Sequence, residues 1–242
     1  MEFKLFSAHT NLVCGMSERP DGTMLVASGQ DPEGFSARNR QEFFERRGIK
    51  IGRVVSAGLE HGNNIAAVGE AQAGLTVGHT DGLVTKESNL FLSITVADCA
   101  PLFFFDPVIG VIGLAHCGWR GVAVGLPKKM VEFMRSRFGC RPNDLLAAVG
   151  PCLQPCHFEI KSDVSTKFRE YDSHIFSSGN KIFLDLPGVI KTQLVAAGLV
   201  SSQVESSGIC TFCESKRYFS YRRDGQKPLP AMASYIGFKR DS

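Results

Sequence analysis

A chain of 242 residues with 43% hydrophobic content can bury a substantial core, and its formal charge of +3 arises from basic residues interspersed with acids. That balance lacks the concentrated basic face of a nucleic-acid binder, apart from short pairs such as Arg46–Arg47 and Arg222–Arg223. No apolar run approaches the ~20 residues of a membrane helix, and Met1 to Ser7 carries no secretory-signal pattern, so a cytoplasmic, non-membrane protein is expected. In that setting the eight cysteines are expected as thiols or ligands, and no disulfide is assigned.

In chain order, Ser36 can cap a helix that runs through Arg47 and ends at Gly48. Ile51 to Ala57 reads as a strand, followed by a loop through Gly58 and Gly62 that carries His61. Phe91 to Ala97 alternates, with Leu92, Ile94 and Val96 on one face and Ser93 and Thr95 on the other. Asp98 and Cys99 therefore fall at its C-terminal tip. Ala100–Pro101 can turn the chain into Leu102–Phe105, Asp106 to Gly110 forms a second turn, and Val111 to Ala115 is again strand-like. Lys128 to Phe138 places Met130, Phe133, Met134 and Phe138 on one helical face, with Pro127 at its start or at a kink and Gly139 after it. Lys161 to Tyr171 gives a further helix, and Asp185 caps another over Val189 to Ala197, ended by Gly198. Arg222 and Arg223 fall on a strand, so at most one faces any site. No repeat or linker divides the chain, and one domain over residues 1–242 is expected, of α+β class with mixed sheets flanked by helices.

Three separated pieces offer metal-grade side chains beside small or turn-forming residues: Glu60-His61-Gly62, Ala97-Asp98-Cys99 and Ala115 to Gly121. The up, down and up path brings Cys99 and His116 to one edge, and the loop after Ala57 can bring His61 there. Two imidazoles and a thiolate make a zinc site with one position open for water or a substrate oxygen. Asp98 can cap a turn or orient a ligand. His79 reads as surface or pocket edge, while Cys152, Cys156, Cys210 and Cys213 have spacings that suit a zinc site of four thiolates.

The same blocks, with Thr80 to Thr85, Gly150 to Ile160 and Phe219 to Gly225, resemble the YfiH-type laccase-domain family, whose proteins are also called polyphenol oxidases or purine nucleoside phosphorylases. The resemblance implies zinc on His61, Cys99 and His116. It implies catalytic roles for Cys99, His116 and Arg40, and substrate binding by Arg40, Arg120 and Asp81. It accounts for the Cys152 to Cys156 segment as a backbone turn near the active site. The chain departs from the family pattern at Glu60, at Cys117 and over residues 1–35.

The activity implied is phosphorolysis of adenosine, inosine, guanosine and S-methyl-5'-thioadenosine, with adenosine deamination at the same site, by a monomer or small homo-oligomer. A second reading uses Cys99 as nucleophile and His116 as base to hydrolyse an amide in a peptidoglycan precursor. A copper-dependent polyphenol oxidase is disfavoured: a blue-copper centre takes two His and one Cys, which leaves four of the six histidines and no His-x-His pair for a multinuclear cluster. Copper at the site of two imidazoles and a thiolate can still give weak oxidation in vitro. A non-catalytic zinc-stabilised binding module requires a fourth ligand, for which the sequence offers no obvious candidate.

Overall fold

Ala100–Asp106 and Val111–Cys117 form the longest hairpin among the described residues, and both strands are buried throughout. Asp106 closes the turn by accepting the N–H groups of Val108 and Ile109 at 2.9 and 3.0 Å, and Gly110 completes it at φ +74°, a conformation that costs glycine little. Leu102 and Phe104 point to one face and Phe103 and Phe105 to the other, so the run is apolar throughout because both faces are covered. The hairpin is the centre of a six-stranded sheet ordered Val204–Ser206, Leu146–Val149, Ala100–Asp106, Val111–Cys117, Gly82–Thr85, Ile65–Ala67. A five-stranded sheet is ordered Leu12–Met16, Met232–Phe238, Phe91–Val96, Val54–Ala57, Thr76–Val77.

This computed structural model describes residues 2–25, 34–225 and 230–239. The two sheets pack face to face, with Val55, Leu92, Ile94, Val96 and Ile236 of one meeting Leu83, Phe103, Phe105, Ile112 and Leu114 of the other. Helices Leu126–Phe138 and Leu186–Ala196 cover the outer face of the six-stranded sheet, with Met130, Val131, Met134, Val189, Ile190 and Leu194 buried. Helix Phe35–Glu45 covers the other sheet through Phe43 and Phe44, which pack edge-on against Tyr235. The result is an α+β sandwich of four layers, helix, sheet, sheet, helices. A third sheet, Glu159–Ile160, Lys181–Leu184, Ile175–Ser178, lies at one end.

The alternation of Leu92, Ile94 and Val96 holds, but the connection that follows differs from expectation. Phe91–Val96 belongs to one sheet and Ala100–Asp106 to the other, so the chain crosses between sheets at 97–99. Ala100 and Pro101 already pair with Cys117 and His116, and the turn is made by Asp98 at φ +81° instead. Ser36 lies inside its helix rather than capping it, since Gly34 occupies the N-cap. Pro127 opens the helix Leu126–Phe138, and Asp185 caps Leu186–Ala196 by accepting the Gly188 N–H at 3.0 Å. Lys161 to Tyr171 becomes a short α-helix, Ser162–Ser165, followed by 3-10 turns over Thr166–His174. Arg222 and Arg223 sit on a helical turn, Tyr221–Asp224, because the Ser220 hydroxyl accepts the Arg223 N–H and starts it. The divergent stretch from Asp21 to Gly34 falls partly outside the described residues.

Candidate metal centre and cavity

The ligand atoms of His61, Cys99 and His116 lie within 4.8 Å of one another. The register of the central hairpin brings two of them together: Ala100 pairs with Cys117 and Pro101 with His116, so Cys99 emerges beside the end of the neighbouring strand. His61 arrives from the loop after Val54–Ala57, which is tied down by Gly58 N–H to Val77 at 2.7 Å and Thr80 N–H to Gly58 at 3.0 Å. Two glycines of the third block make room. A Cβ on Gly118 would lie 3.1 Å from Cys99 Sγ, and one on Gly121 only 2.5 Å from the Gly62 carbonyl oxygen.

Two carboxylates fix the ligand-bearing loops. Asp81 is fully buried and accepts the N–H groups of His61 and Gly62, both at 2.8 Å, while its Oδ1 lies 3.4 Å from His116 Nδ1. These contacts hold His61 at φ +61°, a left-handed conformation that costs a residue with a Cβ roughly 1–2 kcal/mol. With Nδ1 facing Asp81, Nε2 of His116 is the nitrogen available to the cluster. Asp98 accepts the Thr211 hydroxyl at 2.6 Å, the Ser220 hydroxyl at 3.0 Å and the Arg222 N–H at 2.7 Å. It thereby ties the segment before Cys99 to two distant parts of the chain.

The charges around the cluster separate its two imidazoles. Burial alone would lower the His116 pKa, but its neighbours Cys99 and Asp81 outweigh that and push it up to about 9. His61 is held below the ordinary value by burial and by the charge of His116, against the opposing pull of Asp81. The donor set suits a borderline-soft divalent metal, and a buried carboxylate behind a ligand histidine is the usual support of such centres.

Beside the cluster lies a cavity of about 360 Å³, with His61 and Cys99 in its wall. Trp119, Leu153, Phe158, Leu186 and Tyr221 give it an apolar lining, and Arg120 and Arg222 give it two cations. Arg120 stacks over Trp119 with its guanidinium carbon 4.4 Å from the ring centroid, and its guanidinium makes no hydrogen bond among the described residues. Arg222 uses Nη1 to reach the carbonyls of His157 at 3.3 Å and Glu159 at 2.8 Å. Arg223 turns away and braces the carbonyls of Thr211, Phe212 and Tyr218 at 2.7–2.9 Å, so only one of the pair reaches the cavity.

Two residues expected at the substrate stand away from the cavity wall. Asp81 contacts backbone and His116 rather than lining the cavity, because full burial leaves it no face toward a substrate. Arg40 does not line the cavity either: it is buried on the inner face of its own helix, Phe35–Glu45, and donates to the Met24 carbonyl at 3.0 Å and the Ser56 hydroxyl at 2.8 Å. Burial lowers its pKa to about 10. His79 is exposed against Glu60 and lies outside the lining. Trp119, Phe158 and Tyr221 are cavity residues that the sequence does not reveal as such, although each stands inside one of its distinctive blocks.

A two-sheet α+β fold with a cluster of two histidines and a cysteine opening on a cavity is the arrangement of a laccase-domain protein. The chain belongs to the family described as multi-copper polyphenol oxidoreductase laccase, which matches residues 8–239. Among its relatives, the purine nucleoside phosphorylase YlmD of Geobacillus stearothermophilus is 32% identical over 84% of this chain and 78% of its own length. The purine nucleoside phosphorylase ORF3 of Streptomyces griseus is 32% identical over 95% and 92%, respectively. The crystal structure of Geobacillus stearothermophilus YlmD superposes with a TM-score of 0.91 at 29% identity, covering 98% of this chain and 94% of that one. The Bacillus licheniformis YfiH structure gives 0.88 at 30% identity, covering 95% and 94%. No described helix is long and apolar enough to cross a membrane.

Proposed function

We propose that this protein is a zinc-dependent purine nucleoside phosphorylase that acts on adenosine, inosine, guanosine and S-methyl-5'-thioadenosine and also deaminates adenosine. The observation that carries the reading is the three-donor cluster of His61, Cys99 and His116 in contact with a cavity that combines aromatic walls with cations. Support comes from relatives named for that phosphorylase activity, and a further one, 27% identical over 74% of this chain, is named adenosine deaminase RL5.

His61, Cys99 and His116 would hold the zinc, with Asp81 fixing the first and the last. Bound there, the ion supplies Lewis-acid polarisation at an open coordination position. Trp119 and Phe158 offer flat apolar surfaces to a purine, and the cavity volume falls in the range that encloses a small ligand. Arg120 is the cation for phosphate: the Trp119 ring orients it and no protein acceptor consumes its donors among the described residues. Arg222, with two carbonyls on one nitrogen, retains its remaining N–H groups for the same anion. Phosphate held beside the sugar is converted from a free reactant into a positioned nucleophile, and the cations offset the charge it carries into the transition state.

The test is incubation of zinc-loaded protein with adenosine, with and without phosphate. Adenine formed only with phosphate indicates phosphorolysis, and inosine indicates deamination. Neither product from zinc-loaded protein would overturn the reading. Amide hydrolysis of a peptidoglycan precursor by metal-free protein would instead favour the Cys99 and His116 pair as nucleophile and base.

A further inference from the structure

A second cluster of metal-grade side chains stands apart from the first. The donor atoms of Cys156, His157, Cys210 and Cys213 lie within 4.8 Å of one another. Cys156 Sγ and Cys213 Sγ are 3.9 Å apart, and His157 Nδ1 lies 3.2, 3.4 and 4.0 Å from the sulfurs of Cys156, Cys213 and Cys210. With Zn–S near 2.3 Å and Zn–N near 2.0–2.1 Å, a regular tetrahedron has S···S edges of about 3.8 Å and N···S edges of about 3.6 Å. The observed separations scatter around those edges.

We propose that Cys156, His157, Cys210 and Cys213 bind a structural zinc ion with four protein ligands. The spacing Cys210-Thr211-Phe212-Cys213 suits one metal. His157 is held with its ring stacked on Phe212, centroids 4.0 Å apart and planes 16° from parallel. The fourth member differs from the four-cysteine alternative that the spacing allows: Cys152 is fully buried in the core beneath the helices, and His157 takes its place. A disulfide between Cys156 and Cys213 would require the sulfurs to close from 3.9 Å to about 2.05 Å, and it would leave His157 and Cys210 without a role.

The four ligands come from two segments that meet at the cavity wall. Cys152 N–H donates to Ile209 and Thr211 N–H to Cys152, both at 3.1 Å, so the segments are already paired behind the cluster. In front of it stand Leu153 and Phe158 of the cavity lining, and Arg222 is anchored on the carbonyl of His157. Four protein donors leave no open coordination position, so the ion staples the wall and takes no direct part in turnover. The site does not depend on what the first cluster binds or what the cavity accepts.

The experiment is metal analysis of reduced full-length protein after zinc loading and desalting, with Cys99→Ser, Cys213→Ser and Cys156→Ser measured beside the parent. A three-ligand and a four-ligand site together predict about two zinc per chain in the parent and about one in each variant. Cobalt loading gives the independent readout: the thiolate-to-cobalt absorption of a three-sulfur tetrahedral site persists in Cys99→Ser and disappears in Cys156→Ser and Cys213→Ser. Cys156 and Cys213 are both exposed, so either variant serves if the other fails to fold. Zinc content in Cys156→Ser and Cys213→Ser equal to that of the parent would overturn the proposal, whatever Cys99→Ser shows. A Cys156–Cys213 disulfide in protein isolated without air would overturn it too.

Discussion

Replacement of Asp81 by Asn keeps the side-chain shape and removes the charge, which makes it a sharp test of how the first cluster is assembled. Each Asp81 oxygen accepts a backbone N–H at 2.8 Å, and one of them also faces His116 Nδ1 at 3.4 Å. The amide has one acceptor oxygen, so either the His61 or the Gly62 N–H is left opposite an NH2 group. A buried donor without a partner costs about 1–3 kcal/mol, and His61 loses the contact that holds it at φ +61°. Loss of a carboxylate behind a ligand histidine weakens metal binding about 10–100-fold, which is about 1.4–2.8 kcal/mol. Zinc affinity is measured by competition with a chromogenic chelator in a Cys213→Ser background, and the stability of the metal-free protein by urea unfolding. Both should fall. Unchanged zinc affinity and unchanged stability, with only a raised KM for nucleoside, would place Asp81 against substrate and refute the reasoning.

Arg120→Ala should raise the KM for phosphate about ten- to hundred-fold, the loss of a charge-assisted contact of about 1.5–3 kcal/mol, and leave the unfolding midpoint near that of the parent. Arg40→Ala should do the reverse, lowering the urea midpoint because the Met24 carbonyl and Ser56 hydroxyl lose their donor, with phosphate saturation unchanged; steady-state kinetics against phosphate concentration check both variants. Gly121→Ala puts a Cβ 2.5 Å from the Gly62 carbonyl, so the loop carrying His61 must shift and zinc affinity should drop, as read by the same chelator competition. Burial pushes the Asp224 pKa up, but Arg223, the Ser220 N–H and Arg19 outweigh it and hold the pKa below the ordinary value. Asp224 therefore stabilises the fold above the unfolded carboxylate pKa of ~3.9 and loses that contribution as the pH falls below it. Asp224→Asn should flatten this acid limb in unfolding curves recorded from pH 5 downward.

The parts of the fold legible in the sequence are those set by neighbours along the chain. Leu92, Ile94 and Val96 alternate because one face of their strand meets the other sheet, and Pro127 and Gly139 bracket a helix because one fits the first turn and the other the left-handed cap. The change of sheet after Val96 is not legible. It depends on Asp98 at φ +81°, a conformation held by Thr211, Ser220 and Arg222 from more than a hundred residues away. Nothing local distinguishes that aspartate from one that merely ends a strand.

The two metal clusters carry the same lesson in opposite directions. His61, Cys99 and His116 are legible because few residue types ligate metals and each stands in a short, distinctive block, whereas the burial of Asp81 and Arg40 is not legible because tertiary packing decides it. In the second cluster residue type is a misleading guide. Cys152 and Cys156 share a chelating spacing, but Cys152 bridges to Cys210 through the backbone and lies wholly within the core. The turn that follows then presents consecutive residues, Cys156 and His157, to Cys210 and Cys213. A histidine next to a cysteine is a poor choice from spacing alone, since adjacent side chains in a strand face opposite ways. It becomes a natural one only because this segment is a turn rather than a strand, and because Phe212 supplies the surface on which the imidazole rests.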